Sequence, residues 1–232
     1  MRNPLFPILM SAAMLASCAE QYVVNGSSNV EGLEGKTLYL KVFAGEDMRA
    51  IDSSRVVHGK FRFRGVLDSV TMANVFVDDT SVMPVVLESG EVLLNIGEST
   101  QSATGTPMND SLSQFIQRKT QIDAQMAELP HLESQMIMDG ISYDQINVEL
   151  GAKARALNDE NDRLVSRFIS SNYDNVLGPG IFMIMTSALQ YPILNPKIEA
   201  IISQAPPYFL NHPYVREYIK AAESNMEKMH DY

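Results

Sequence analysis

The chain has 232 residues, a formal charge of −10 at neutral pH, one cysteine and no tryptophan. An acidic chain of sequence pI ≈ 4.8 lacks the cationic surface that phosphate neutralisation requires, so no nucleic acid partner is expected. A lone thiol excludes an intrachain disulfide, a Cys-x-x-Cys redox centre and a zinc ribbon.

Arg2 is a single cation ahead of an apolar run over residues 5–16. That run has the length of a secretory h-region and falls well short of the ~20 residues that span a bilayer. Leu15-Ala16-Ser17-Cys18 closes it with small residues and the sole cysteine, and resembles a bacterial lipobox. The resemblance implies cleavage before Cys18, which makes residues 1–17 a lipoprotein signal peptide, and acylation of Cys18 with palmitate among the chains. The membrane is then a partner through acylated Cys18, because the acidic mature chain offers little electrostatic attraction; two or more acyl chains give stable anchoring. Ala19 stands where an aspartate would imply retention at the inner membrane. Only Glu20 follows, where surface-exported lipoproteins carry a run of acids. The expected location is the cell envelope, on the periplasmic face of the outer membrane rather than the cell surface.

Residues 22–104 read as short strands. Over residues 36–43, Leu38, Leu40 and Val42 alternate onto one face, and in residues 60–64 Phe61 and Phe63 alternate with arginines. Residues 71–78, 82–88 and 92–96 are further β-branched runs, separated by Asp78-Asp79, Ser89-Gly90 and Gly97. His58-Gly59 reads as a hairpin turn, since glycine tolerates positive φ. Strands at this spacing predict an antiparallel β-sandwich over residues 18–105.

The pattern becomes helical at Thr106-Pro107, where Thr106 is placed to cap a helix that starts on proline. Leu112, Phe115, Ile116, Ile122, Met126 and Leu129 form its stripe, and Pro130 kinks or ends it. Ser142 with Gln145 forms a capping box, with Ile141 and Ile146 as a hydrophobic staple. The helix that follows carries an apolar stripe from Ile146 through Leu157 and Val165 to Ile169. Shorter helices are predicted after Gly178-Pro179-Gly180, with Asn195-Pro196 and His212-Pro213 at two of their starts. The last helix buries Val215, Tyr218, Ile219, Ala222 and Met226. The expected class is α+β: an N-terminal antiparallel β-sandwich, then a helical hairpin and shorter helices over residues 106–232.

No catalytic set emerges from these residues. His58, His131, His212 and His230 lack the i, i+4 spacing of a helical zinc site, and no metal or cofactor is expected. Glu46-Asp47 and Asp78-Asp79 read as solvated turns, and the acids at 159, 160 and 162 as an exposed helix face. The aromatic concentration in residues 191–218 has two readings. Tyr191, Tyr208 and Tyr214 either pack the short helices together or present a surface to a partner or glycan, with Tyr208 the one expected to be exposed. The methionines fill an irregular helical core.

Asp52-Ser53, then Gly59-Lys60-Phe61-Arg62-Phe63-Arg64-Gly65, Leu87-Glu88-Ser89-Gly90, and Gly105 with Asn109 form an ordered series. It resembles the N-terminal domain of unknown function of Bacteroidetes lipoproteins, which usually precedes a thioredoxin-like (AhpC/TSA) domain. Phe168-Ile169-Ser170-Ser171-Asn172 and His212-Pro213-Tyr214-Val215 are similar to helical segments of the same proteins. The thioredoxin-like part and its Cys-x-x-Cys have no counterpart here, so the resemblance carries over no catalytic residue. Its glycines and Asp52 read as turn and sheet determinants. The expected function is a non-catalytic, lipid-anchored binding or scaffolding module with an envelope protein partner. The alternatives are an accessory to a separate thioredoxin-like thiol-disulfide oxidoreductase, or a hydrolase whose site has no recognisable motif.

Overall fold

The computed structural model describes residues 21–44, 47–98 and 100–230; Cys18 and Glu46 lie outside the described residues. These residues form strands β1 (Gln21–Ser28), β2 (Thr37–Ala44), β3 (Asp47–Arg55) and β4 (Lys60–Val66). Strands β5 (Thr71–Val77), β6 (Thr80–Leu87), β7 (Gly90–Ile96) and β8 (Gln101–Thr104) follow. Besides a short 3-10 turn at Glu31–Leu33, seven α-helices complete the described fold: α1 (Pro107–Ala127), α2 (Leu129–Met138), α3 (Tyr143–Ser170), α4 (Leu177–Ser187), α5 (Pro196–Ser203), α6 (Pro207–Leu210) and α7 (Pro213–His230). The class is α+β with the sandwich first, as the sequence predicts.

Two sheets, ordered β4-β1-β7-β8 and β3-β2-β5-β6, enclose one apolar core. Leu38, Leu40 and Val42 of β2 point into it, as do Phe61 and Phe63 of β4, while Arg62 and Arg64 are exposed. Phe61 and Phe63 meet edge to face with centroids 5.8 Å apart, an arrangement the ring quadrupole favours. Phe61 also lies across Gly26 of the neighbouring strand, filling the space a Cβ there would occupy.

The sheets are not wholly antiparallel. β1 and β7 run parallel, with Val24 opposite Val92: the chain comes back to this sheet first at β4, antiparallel to β1 on its other side, and again at β7 after β5 and β6 in the second sheet. Strands β2 to β6 therefore serve as the long crossover that a parallel pair requires. The His58-Gly59 turn forms as predicted: both residues have positive φ (52° and 67°), and Val57 bridges Lys60. Its arms, however, join different sheets, so it is a corner of the sandwich and not a hairpin within one sheet. The Glu34 carboxylate accepts the His58 and Gly59 N–H groups at 2.9 and 3.0 Å. Those two bonds hold its pKa below the usual carboxylate range.

Both seams of the sandwich are closed by side chains. At the β3/β4 seam, Asp52 Oδ2 accepts the Arg64 N–H and Ser54 Oγ accepts the Arg62 N–H, each at 3.0 Å. At the opposite seam, α1 lies along the edges of both sheets. Asn109 Oδ1 accepts the Val86 N–H (2.9 Å) and its Nδ2 donates to the Val86 carbonyl (2.8 Å), imitating a neighbouring strand for β6. One turn later, Ser113 Oγ accepts the Ala103 N–H (2.9 Å) and donates to the Ala103 carbonyl (2.5 Å) of β8. The i, i+4 spacing puts both groups on one helix face.

Thr106 does occupy the N-cap of α1, but its side chain caps no helical N–H. Glu88, buried at the end of β6, does so instead, accepting the Met108 and Asn109 N–H groups at 3.0 and 3.3 Å. A carboxylate suits the positive end of a helix. The Thr106 hydroxyl accepts from Asn109 Nδ2 (2.8 Å).

A second core lies between the outer face of the β3-β2-β5-β6 sheet, through Met72 and Val86, and the helices. Strand β5 is thus buried on both faces. Gly178-Pro179-Gly180 does not precede α4 but lies within its first two turns, wholly buried. A Cβ on Gly180 would come within 2.0 Å of Met72 Sδ, so glycine here allows the helix to close on the sheet. Pro130 ends α1 only to open α2, since a proline fits the first turn of a helix. Ser142 caps α3 by accepting the Gln145 N–H at 3.4 Å, and Asn195 caps α5 by accepting the Ile198 N–H at 3.0 Å. Asp159 and Asp162 are exposed on α3, as expected, and two of the acids also tie helices together: Glu160 pairs with Arg118 of α1, and Asp162 with Lys197 of α5 at 2.6 Å.

Candidate functional site

A groove of about 760 Å³ lies between β8 and the exposed flank of α1. Gln114, Gln117 and Gln121 line its helical wall at i, i+3 and i+7, a spacing that stacks them on one face. Gln101, Ser102 and Thr104 line its strand wall, and Glu98 and Asp110 are its carboxylates. Asp110 also accepts the Gly105 N–H at 3.0 Å, which fixes its side chain at the start of the helix. Amides and hydroxyls supply both donors and acceptors. The groove therefore suits a ligand rich in hydrogen-bonding groups, such as a polyol or an extended peptide. Sequence reading missed it; the glutamine stripe at helical spacing was the available signal.

A smaller apolar cleft of about 340 Å³ lies where α4 crosses the outer face of the second sheet, lined by Phe43, Met48, Phe76, Val82 and Ile184 among others. Lys41 stands over the Phe76 ring, 4.4 Å from its centroid. Phe43 meets Tyr214 at 6.5 Å between centroids.

The three tyrosines singled out from the sequence fall in different surroundings. Tyr191 and Tyr208 are 48% and 58% exposed, although Tyr208 sits in the short helix α6 and not in a loop. Tyr214 is half-buried; its hydroxyl shares a 2.9 Å hydrogen bond with Thr186, and its ring stacks near Tyr218. Tyr218 is buried and straps the segment before α5, donating to the Ile193 carbonyl (2.9 Å) and accepting the Ile193 N–H (3.2 Å). Burial pushes its pKa up.

His58 lies in the sandwich corner and His131 is exposed on α2. His212 precedes α7 with Nδ1 buried and without a hydrogen-bond partner, and burial lowers its pKa. Among the described residues no group of three or more His, Cys, Asp or Glu side chains is gathered to hold a metal ion. Nor is any described helix long and apolar enough to cross a membrane.

Several residues of the ordered sequence series have placed roles. Asp52 and Gly59 shape the β3/β4 corner, while Glu88 and Asn109 join the sandwich to α1. Residues 22–112 match Domain of unknown function (DUF4369). The DUF4369 match spans β1 to β8 and stops just after Asn109, so it includes the helical turn that seals β6. No curated protein matches the chain.

Proposed function

We propose that the protein is a non-catalytic, lipid-anchored envelope module that binds or scaffolds another envelope component. The observation that carries this reading is the order of parts along the chain. Leu15-Ala16-Ser17-Cys18 closes an apolar leader, and the sandwich begins three residues later, at Gln21. The amide-lined groove and the exposed rings of Tyr191 and Tyr208 are the surfaces assigned to recognition; Tyr214 instead packs against Phe43 and Tyr218. The favoured location is the outer membrane, facing the periplasm.

Labelling and capture test this reading together. Globomycin should retain the precursor, and Cys18→Ala should abolish palmitate incorporation; normal labelling of that variant refutes the anchor. Capture from native envelopes with the parent protein and a Gln114→Ala/Gln117→Ala/Gln121→Ala variant tests the groove. Loss of one defined protein or glycan, with unchanged melting, supports it. Recovery of a thioredoxin-like oxidoreductase as the main partner favours the accessory role instead.

A further inference from the structure

Gln21 lies three residues beyond Cys18, so its Cα is within about 11 Å of the Cys18 Cα whatever path residues 19 and 20 take. An acylated Cys18 therefore holds one particular end of the sandwich at the bilayer surface. Strand pairing identifies that end. Gln21 is opposite Val66, the last residue of β4, and Tyr22 is opposite Gly90, the first residue of β7. The loop from β4 to β5 leaves from the same place.

This end is not an ordinary polar turn region. Val66 is 60% exposed and Ile51 37%. With Leu67 they border a depression of about 410 Å³ that also takes in Arg49 and Arg64. The acids beside it are Asp52 and Asp68. Asp52 is committed to the Ser53 and Arg64 N–H groups, at 2.7 and 3.0 Å. Apolar side chains flanked by guanidinium groups match a bilayer boundary, where the former enter the acyl region and the latter bind phosphate.

We propose that this end is a membrane-contacting face, occupied by the leaflet that holds the Cys18 acyl chains. Val66 and Ile51 enter the interface, and Arg49 and Arg64 engage lipid phosphates. The proposal rests on the acylation proposed above. The acyl chains supply the attachment, and the face sets the orientation; a chain of charge −10 needs no general attraction to lipid for this. The rest of the molecule then points away from the membrane. Helix α1 starts at the anchored end, with Thr106 against Gly90. It runs back along β8, past Ala103 at Ser113 and past Glu98 near Gln121. The turn between α2 and α3, with the exposed side chains of Met138, Tyr143 and Val148, lies at the far end of this helical arm.

Single-site fluorescence in proteoliposomes tests the orientation. Val66→Cys and Val148→Cys, each in the full acylated chain, are labelled with an NBD maleimide and placed in vesicles of phosphatidylethanolamine and phosphatidylglycerol. Lipids bearing a shallow nitroxide should quench the label at position 66 severalfold more than the label at position 148. Adding Arg49→Gln and Arg64→Gln should reduce quenching at position 66. Equal quenching at both sites, or stronger quenching at 148, overturns the proposed face and leaves the anchor standing. Maleimide reaction of Cys18 in the parent protein overturns the anchor, and the face with it.

Discussion

Replacing Asn109 tests how the sandwich and the helices are joined. The side chain is wholly buried and gives the edge of β6 both halves of a strand pairing, through the N–H and the carbonyl of Val86. Leucine keeps the volume but bonds to neither group. Two buried backbone groups are then unsatisfied, at about 1–3 kcal/mol each, so Asn109→Leu should cost roughly 2–6 kcal/mol. That is a large part of the 5–15 kcal/mol that typically separates folded from unfolded chains. Asn109→Asp should be worse at neutral pH than its loss of donors alone predicts. It would put a second carboxylate where Nδ2 now lies 3.3 Å from Glu88 Oε1, and like charges at that separation repel. Acidification should restore part of the loss in the aspartate variant and none in the leucine variant. Urea denaturation of the mature domain at two pH values measures both effects. A leucine variant within about 0.5 kcal/mol of the parent, the range of ordinary surface changes, would refute the sealing role of Asn109.

Phe63→Ala should cost about 3–5 kcal/mol, as for other fully buried aromatics, whereas Arg62→Ala should cost well under about 1 kcal/mol; reversed denaturation midpoints would mean that β4 faces the other way. Gly180→Ala should cost about 1–3 kcal/mol, because the new Cβ would fall on Met72 Sδ and overpacked cores must shift. Restoration by Met72→Ala in the double variant would assign that cost to this contact, and additive losses would not. His212 gives a pH dependence. Its folded-state pKa is lowered by burial, so on acidification the unfolded chain takes up a proton before the folded chain does. Stability should fall as pH drops through about 6.5, the ordinary histidine value, and level off below the folded pKa. His212→Asn should flatten that slope between about pH 7 and pH 5, and an unchanged slope would locate the effect elsewhere.

Strand positions were legible because their signal is local. Alternation of Leu38, Leu40 and Val42, and of Phe61 and Phe63, is a property of neighbouring residues, and burial follows it directly. Sheet membership was not legible, since nothing in residues 55–60 says whether the chain folds back on its own sheet or turns the corner into the next. The parallel β1/β7 pair joins residues some seventy positions apart, beyond any local pattern. Glycines misled for a physical reason. Gly178-Pro179-Gly180 is a breaker by propensity, yet proline is tolerated in the first turn of a helix and the glycines answer to close packing, a tertiary demand that outweighs propensity. Of the candidate site residues, the exposure of Tyr208 followed from its two preceding prolines. The support given to Tyr214 by Thr186 depends on a contact between α4 and α7 that one sequence does not encode visibly.

The sealed seams bear on how the proposed module would recognise a partner. A sandwich can bind an extended peptide by adding it as a strand, but only where an edge has free N–H and carbonyl groups. Here β6 is paired by Asn109 and β8 by Ser113, both from α1, while N–H groups of β4 are accepted by Asp52 and Ser54. Strand addition at β6 or β8 would first have to pull α1 away, exposing Leu112 and Phe115, which its inner face buries, and giving up the Glu88 contacts to its first turn. Each such loss opposes binding, and together they exceed what a few ladder hydrogen bonds return at about 1 kcal/mol apiece. Under the proposed function, recognition would then fall to side chains on the outside of that same helix. There Gln114 and Gln117 line an open groove, beside Gln121, whose Oε1 accepts from Arg118 at 3.2 Å. The residues that close the sandwich and the residues lining the groove thus occupy adjoining faces of α1, with Ser113 belonging to both, and α1 must stay docked for the groove to exist.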